Sequence, residues 1–494
     1  MKFYLSQKTR LNPFGSVMAL FLLSLQIHAQ VGIGTVTPDA SAALHISSTT
    51  QGLLTPRITS VQRITIASPA NGLMVYDTDI KSFYYYDSST SAWIKIYGDK
   101  QGRLNYKLIK SNDVLETVLA AEKAAGGNTK YLLDAKTFYE INGTIMVDLP
   151  IEINNAYIGG LDSSEDKLVK VSGDLFTGST GGAIRVVTLV ATGGSVFNLV
   201  GTGSQSIIVR DCIVENSASV GKIENFGLAF KSIVNFVGNT TGIIYKDISK
   251  LLLSNTGWYG NNSGVYETLQ GTFGLVAKLG GFIEVTGNKI GFDVSANPVI
   301  TGDAVLREVV FTGALTTGKY INGYSPTLYS GYNFNNRWNV NATGVPVEGD
   351  LVAIGDVNFD YAIGSGALTT IAALITPAKL VGVTTSNNLF RISTGGVNNR
   401  LTYLGAKTRY FRAGASISFQ STVAGVADFV FYLAKNGVII NQSKVYSSVK
   451  SSDLSTISLV GTVNLATNDY VEVWVSRLSG AGDVKTVSLN LVIN

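Results

Sequence analysis

The sequence predicts an all-β protein built around a right-handed parallel β-helix. Charged residues make up only 15% of the 494 residues, and the chain has 53 glycines and 9 prolines. This composition is typical of short strands joined by polar turns. A short pattern of apolar residues that ends in glycine recurs through the middle of the chain. The C-terminal part alternates apolar and polar residues with a period of two, as half-buried strands do.

Residues 1–29 have the pattern of a secretory signal peptide, with basic residues, an apolar run over 17–25 and an acceptable cleavage site at Ala29. The run is shorter than the ~20 residues that cross a bilayer, so no transmembrane helix is expected; a membrane anchor is the alternative interpretation of this segment. The mature protein is therefore expected to be secreted or held on the outer cell surface. Residues 1–29 hold three basic and no acidic residues, so cleavage lowers the net charge from +4 to +1. Without a basic cluster, nucleic acid is not an expected partner.

Histidine and cysteine are too scarce for several kinds of chemistry. Cys212 is the single cysteine, and His45 is the one histidine outside residues 1–29. This excludes an intrachain disulfide, and it makes histidine-based metal sites and Cys–His or Ser–His catalysis hard to assemble. Neither GxxxxGK[ST] nor GxGxxG is present, so nucleotide binding has no support. No metal or cofactor is expected.

Residues 30–100 are predicted to form a β-rich N-terminal module. Within it, 72–77, 82–86 and 92–96 have the pattern of three short strands in a meander. In the run 83–86, Tyr84 shares a face with Tyr86, and Trp93 is the expected cross-strand partner. An aromatic platform for stacking sugars is the alternative interpretation.

Three motifs in this module carry a resemblance: GIGT-x-TP-x-ASA-x-L at 32–44, PR-x-T-x-x-QR at 56–63 and GL-x-VYDT…YYYD…W at 72–93. They resemble a module found at the N-termini of secreted and surface proteins of Bacteroidetes-type bacteria. The resemblance implies a surface or fibre context, sometimes with phage tail-fibre-like chains. It implies no chemistry.

Residues 101–135 are predicted as a linker and a helix over 111–127. Asp113 and Glu116 have the spacing of a capping box, and apolar residues including Leu115 and Leu119 form one stripe. The expected role of the helix is to cover an open end of a sheet.

The predicted β-helix spans residues 136–335. The recurrent pattern reads FYEING, LVKVSG, VFNLVG, IVNFVG and FIEVTG, with its glycines at positions 143, 173, 201, 238 and 287. Matching second strands follow two of these units, SIIVRDCI at 206–213 and GIIYKDIS at 242–249. Such repetition predicts solenoid coils that stack like on like. In pattern the segment resembles the shafts of tailspike-like proteins and of pectin-degrading enzymes; a set of irregular β-sandwiches is the main rival.

Residues 336–376 are predicted as a neck, and 377–494 as a jelly-roll β-sandwich. The motifs AxIxF at 415–419, KNG at 435–437 and LxxxDYVEV at 465–473 resemble heads of the C1q and tumour-necrosis-factor type. This resemblance implies a homotrimer packed on aromatic faces, with Tyr470 and Trp474 as interface candidates. Alternatively, the two rings complete the core or rim of their own head.

One constellation suggests an enzyme. Arg210-Asp211 and Lys246-Asp247 occupy matching positions in the two similar strands, with Glu215 nearby. Stacked on one coil face, such carboxylates at about 5–9 Å would suit glycoside hydrolysis. The alternative is a solvated ladder of ion pairs, which contributes little.

Four residues are candidates for ligand binding. Trp258 and Tyr259 lie in NTGWYGNN, and Arg337 and Trp338 lie in NNRWNV. Aromatic rings exposed in such loops are able to stack on sugars, with asparagines bonding the hydroxyls. Packed inward, they would only hold a loop in place.

The sequence therefore predicts an exported, fibre-like surface adhesin or recognition protein that binds a surface polysaccharide or glycan without catalysis, as a homotrimer. The first alternative is a β-helix polysaccharide depolymerase, a hydrolase or lyase acting through carboxylates of the shaft. The second is a purely structural fibre or phage-tail-like component.

Overall fold

The structure, a computed structural model, describes residues 30–96, 105–451 and 453–494. The predicted signal peptide lies outside the described residues. The chain divides into two compact units, the first ending at Arg103 and the second running from Leu104 to Asn494. In the described ranges, no helix is long and apolar enough to cross a membrane.

The N-terminal module contains the predicted meander. Its antiparallel strands are Met74–Asp77, Ser82–Asp87 and Ala92–Lys95. Tyr86 pairs with Trp93, and their ring centroids lie 5.5 Å apart in a T-shaped contact, as the sequence predicted.

Two further pairings and one helix complete the module. Its helix, which the sequence analysis did not predict, has a capping box formed by Thr59 and Gln62. This helix spans Ser60–Ile64. The strand Arg57–Ile58 pairs with Met74–Asp77, and Val31–Ile33 pairs with Leu44–Ile46 in parallel.

The second unit contains a parallel β-solenoid with about eight turns over residues 131–312. We call this solenoid, together with the strands before and after it that pair with it, the shaft. The described strands of the shaft pair with one another in parallel and stack on three faces. Face 1 contains Tyr106–Lys110, Phe138–Asn142, Tyr157–Gly159, Gly182–Arg185, Trp338–Thr343 and the first parts of Ser206–Glu215, Leu275–Glu284 and Ala304–Thr312.

Face 2 contains Thr144–Met146, Lys167–Lys170, Thr188–Ala191 and the last parts of Ser206–Glu215, Leu275–Glu284 and Ala304–Thr312. Face 3 contains Tyr131–Leu132, Ile151–Glu152, Phe176–Gly178, Ser195–Val200, Val265–Gln270, Ile290–Asp293 and Lys319–Asn322. The long strands Ser219–Val237 and Ile243–Trp258 pass through faces 3, 1 and 2 in turn. Thr272–Phe273 and Val299–Ile300 pair between face 3 and face 1.

A single residue with a left-handed backbone turns the chain from face 1 to face 2. This conformation bends a strand sharply without a loop. It is costly for most residues, and glycine and asparagine adopt it most readily. Along this corner, positive φ angles recur in successive coils at Val186, Asp211, Ile233, Asn255, Gly280 and Glu308.

The glycine-ended pattern predicted the solenoid but not its register. FYEING lies on face 1, VFNLVG on face 3, and the other three units on face 2. The prediction that these units stack like on like is therefore wrong. All three faces need the same alternation of inward apolar and outward polar residues, so one local pattern recurs on each of them.

Two short helices, Leu115–Val118 and Ala120–Ala125, replace the single predicted helix. The predicted capping box is absent from the first helix, because the carboxylate of Asp113 accepts a hydrogen bond from the Lys110 amide instead. Leu115 and Leu119 are buried in the shaft core, as expected of a cap.

The C-terminal part, which we call the head, is a jelly roll of two antiparallel sheets around its own core. One sheet contains Leu389–Phe390, Ile354–Asp360, Val484–Ile493, Arg409–Ser421 and Ser455–Leu465 in that order, with Ala367–Thr369 beside Val484–Ile493. The other contains Ile392–Ser393, Leu401–Tyr403, Tyr470–Ser479, Val426–Lys435 and Val438–Ile439, with Ala378–Lys379 and Val445–Lys450 alongside. Two 3₁₀ turns, Asp350–Val352 and Asn441–Ser443, complete the elements.

The predicted neck, 336–376, is not a separate linker. Trp338–Thr343 pairs with the shaft, and Ile354–Asp360 lies between two strands of the head. The boundary between shaft and head therefore falls between these two strands.

Candidate functional site

The carboxylates considered for catalysis lie apart. Asp211 stands at the corner between face 1 and face 2, whereas Asp247 stands at the corner between face 3 and face 1. The prediction that they stack on one face is wrong. The two similar strands begin on different faces of the coil, so their matching sequence positions are not equivalent in space.

Each of these carboxylates has a local structural role. Glu215 forms an ion pair with Lys167 at 3.0 Å. Asp247 accepts a hydrogen bond from the backbone amide of Thr272 at 2.8 Å and has a φ of 52°. Asp211 likewise has a positive φ of 54°. These contacts stabilise corners and a sheet surface, and they do not assemble an acid–base pair.

A surface ladder of ion pairs exists on face 3, but its acid is Glu224. Lys222 and Lys246 lie 2.8 and 2.7 Å from the Glu224 carboxylate. Their hydrogen bonds lower the pKa of Glu224. Such exposed pairs contribute little to stability.

Trp258 and Trp338 do not lie exposed in loops, so that prediction is wrong. Both side chains are 0% exposed. Trp258 stacks on Tyr266 at a centroid distance of 4.4 Å, and Trp338 lies 4.5 Å from Phe334. Trp258 is the last residue of its strand and Trp338 is the first of its own, and both side chains point inward. Only their sequence neighbours belong to the Asn- and Gly-rich loops.

Their sequence neighbours are exposed but lie in different places. Tyr259 is 40% exposed, and its ring meets Phe282 edge-on at 5.0 Å. It follows the end of face 2, whereas Arg337, also exposed, precedes the last strand of face 1. The fold does not bring the four candidates together.

An open cleft of about 780 Å³ lies where the last segment of the shaft meets the head; we call it the junction cleft. Among the described residues that line it, none is charged. Most are tyrosine, asparagine, serine, threonine and aliphatic residues; they include Leu328, Tyr329, Tyr332, Asn336, Ile354, Ser386, Asn387, Asn388, Phe390, Ser393 and Thr394.

An aromatic group forms one wall of the junction cleft. The Tyr332 ring stacks on Phe390 at a centroid distance of 3.9 Å, and Tyr329 meets Phe390 edge-on at 5.2 Å. Phe390 and Tyr329 are buried, but Tyr332 is only partly so. The Tyr329 hydroxyl donates to Asn336 at 3.2 Å. Tyr332 is therefore the ring held in place and still available to a ligand.

Amides and hydroxyls form the rest of the lining. Asn387 and Asn388 are exposed, and Ser393 and Thr394 are partly exposed. The buried hydroxyl oxygen of Ser386 has no hydrogen-bond partner among the described residues, and such groups ordinarily have one. Uncharged donors and acceptors beside a ring suit a neutral ligand that is rich in hydroxyl groups.

Buried polar contacts fix the position of the head on the shaft. Arg391 of the head pairs with Asp350 and donates to the backbone carbonyl of Trp338. Asn336 donates to the backbone carbonyl of Leu404 at 3.0 Å. The walls of the junction cleft are therefore fixed relative to each other.

The trimer candidates in the head have partners within their own chain. The Arg400 guanidinium lies 3.7 Å from the centre of the Tyr470 ring, and Trp474 Nε1 donates to Glu472 at 3.0 Å. Burial alone would raise the pKa of Glu472, but hydrogen bonds from Lys379, Trp474 and Arg400 hold it below its ordinary value. Both rings are partly buried, and their role between copies stays a prediction.

The sequence analysis missed the junction cleft. Its signal is weak, because Tyr329 and Tyr332 lie in a Gly- and Ser-rich stretch, and Asn387 and Asn388 lie more than 50 residues later in the sequence. Within the described ranges, no group of three or more His, Cys, Asp or Glu side chains is placed to hold a metal ion.

Among solved structures, part of the chain is similar to murine APRIL at pH 5.0, with 9% identity and a TM-score of 0.18, covering 28% of this chain and 98% of that one. It is also similar to pika GITRL, with 12% identity and a TM-score of 0.16, covering 28% and 94%. At such scores neither likeness supports an argument, and the jelly roll follows from the strand pairing. Comparison with curated proteins gives no match.

A family comparison is more informative about the N-terminal part. Residues 32–112 match the family described as phage tail like trimerisation region. The match confirms part of the predicted resemblance, while an origin in Bacteroidetes-type bacteria stays a prediction. Together with the β-helical shaft, it supports a fibre-like structural or recognition protein in which residues 32–112 resemble a phage-tail-like trimerisation module.

Proposed function

We propose that this chain is an exported, trimeric, fibre-like recognition protein that binds a neutral surface glycan in the junction cleft without catalysis. The observation that carries the proposal is the uncharged lining of the junction cleft, with Tyr332 held against Phe390 at 3.9 Å. A sugar ring has apolar C–H faces and a rim of hydroxyls. An aromatic ring flanked by amides and hydroxyls complements both.

The proposed location follows from the N-terminal sequence. A signal peptide cleaved near Ala29 would deliver the chain to the outer cell surface or the medium. The trimerisation match over 32–112 supports a fibre context. Three copies would then present three junction clefts, and such multivalency raises the avidity of weak individual sites.

A purely structural fibre component is the second candidate. The phage-tail-like match favours it, because a trimerisation region needs no ligand. The depolymerase receives no support from geometry, since Asp211 and Asp247 lie at different corners of the coil. Of the two remaining candidates, the recognition protein is favoured by the accessible, uncharged junction cleft.

Glycan binding by residues 30–494 tests the proposal. We expect binding to neutral polysaccharides, and we expect Tyr332→Ala to weaken it about fivefold, because an aromatic contact contributes roughly 1 kcal/mol. Tyr259→Ala is the matched control, since this tyrosine is exposed on the shaft away from the cleft. Loss of binding only in the Tyr259 variant would move the site to the shaft. Absence of binding to any neutral or acidic polysaccharide would favour the structural fibre.

A further inference from the structure

One outward-facing column of face 1 is apolar along almost the whole shaft. Its members pair in register from coil to coil, and each is partly or fully exposed. We call this column the apolar stripe; it consists of Tyr106, Phe138, Tyr157, Ala183, Ile208, Phe230, Leu252, Ala277 and Val305.

The first coils of the apolar stripe carry an aromatic ladder. Phe138 stacks on Tyr106 at a centroid distance of 6.0 Å and lies 5.5 Å from Tyr157. Tyr106 and Tyr157 are 40% and 39% exposed. Large rings on a sheet surface leave apolar area in water, and a contiguous patch of this kind marks an interaction surface.

The surroundings of the apolar stripe resemble the rim of an interface. The outward column beside it carries the exposed Arg185, Arg210 and Arg307, and between Arg210 and Arg307 it carries Ser232, Ser254 and Leu279. Face 3, by contrast, carries Lys222 and Glu224 at outward positions, where they form ion pairs. An apolar centre beside a mainly polar rim is the anatomy of a protein–protein contact.

We propose that the apolar stripe is covered by other copies of this chain, with three shafts turning face 1 toward a common axis. The strand Tyr106–Lys110 is the first rung of face 1, and it lies inside the region 32–112 that matches a trimerisation family. The stripe therefore continues, coil by coil, from a segment already linked to trimer formation. This inference rests on the proposed trimeric fibre and names the surface that holds its shafts together.

The apolar stripe is too small to form a stable interface by itself, but its size suits the extension of a larger interface. Nine rungs spaced about 4.8 Å apart give a length of roughly 38 Å, and four residues of strand give a width of roughly 13 Å. The resulting area, about 500 Å² per copy, is below the roughly 800 Å² per partner of a stable interface. The apolar stripe is thus expected to add to the trimer contacts of the matched region 32–112 rather than to hold three copies together by itself.

Spin-label distances in the full chain test the inference. Leu252 lies in the apolar stripe, whereas Ile244 is an outward isoleucine on face 3 of the same strand. In separate variants, Leu252→Cys and Ile244→Cys each receive one label, while Cys212 stays inaccessible because it is buried. We expect distances between copies to be shorter at position 252, by roughly 17 Å, because packed sheet faces lie about 10 Å apart in each copy and a threefold axis multiplies a radial difference by about 1.7.

The outcomes separate this inference from the proposed function. A trimer whose labels are no closer at 252 than at 244 overturns the inference and leaves the trimeric fibre intact; the apolar stripe would then face another partner or solvent. A monomer, with no distance between copies at either position, overturns both. Solution mass measured on the same labelled samples distinguishes these two results.

Discussion

Lys278 Nζ lies 2.9 Å from a carboxylate oxygen of Glu267 inside the shaft, and both side chains are 1% exposed. Lys278 also donates to the Thr256 hydroxyl at 3.1 Å. A charge removed from water is costly unless an opposite charge and hydrogen bonds compensate it. The pair therefore makes a segment of the shaft core sensitive to single substitutions.

Glu267→Gln is expected to destabilise the shaft by about 3–5 kcal/mol, because it leaves the Lys278 charge buried without a counter-charge. Urea denaturation of residues 30–494 measures this loss. The double variant Glu267→Leu with Lys278→Met removes both charges and is expected to be neutral or stabilising. If the single substitution costs no more than an exposed one, the buried ion pair is not formed.

Lys231 is a second buried lysine of the shaft, and its ammonium group has no hydrogen-bond partner among the described residues. It lies 4.7 Å from the centre of the Phe197 ring. Burial lowers the pKa of Lys231 to about 7, while Glu267 and Cys212 oppose and Lys278 reinforces the effect. In the unfolded chain a lysine has a pKa near 10.4.

Stability is therefore expected to rise with pH between about 7 and 9. In this window the unfolded chain binds one proton more than the folded chain, so the free energy of unfolding gains up to about 1.4 kcal/mol per pH unit. The contribution is lost as the pH falls toward 7, where the folded chain takes up the buried charge. Denaturation midpoints at pH 7 and pH 9 measure the rise, and Lys231→Met is expected to abolish it. An unchanged rise in that variant would assign the effect to another group.

Trp258→Ala and Tyr259→Ala are expected to differ sharply although the two residues are neighbours. Trp258 is fully buried against Tyr266, so its removal leaves a cavity and costs about 3–5 kcal/mol. Tyr259 is 40% exposed, so its removal is expected to change stability by less than about 1 kcal/mol. Thermal unfolding of both variants gives the comparison. Equal losses of stability in the two variants would show that the Trp258 side chain is not buried in the core.

This pair also shows what the sequence could and could not predict. The all-β class, the meander around Tyr86 and Trp93, and the solenoid follow from local alternation, which strand geometry imposes. Successive side chains of a strand point to opposite faces, so Trp258 points inward only if the strand continues to its position. The Gly- and Asn-rich loop directly after Trp258 hides where the strand ends.

The site predictions failed for a related reason. Asp211 and Asp247 occupy identical places in similar strands, but the coil has three faces and the two strands begin on different ones. Which sequence positions fall on the same face depends on the number of residues in each coil, and loops change that number. The junction cleft could not be predicted from local sequence patterns either, because Tyr332 and Asn388 line the same cleft only when the head is docked on the shaft.

Arg391→Ala is expected to weaken the junction between shaft and head. Its guanidinium is 4% exposed and pairs with Asp350, so truncation leaves a nearly buried carboxylate and costs about 3–5 kcal/mol. Arg337→Ala is the matched control, because Arg337 is exposed near the same boundary and is expected to cost less than about 0.5 kcal/mol. Calorimetry is expected to show separated transitions only in the Arg391 variant. One unchanged transition there would show that other contacts fix the head.

The most direct measurement is the solution mass of residues 30–494 by light scattering behind a sizing column, over a range of dilutions. The trimerisation match at 32–112 and the apolar stripe on face 1 predict three copies that stay together on dilution. A monomer at every concentration would contradict the trimeric fibre, and with it the proposal that three junction clefts act together.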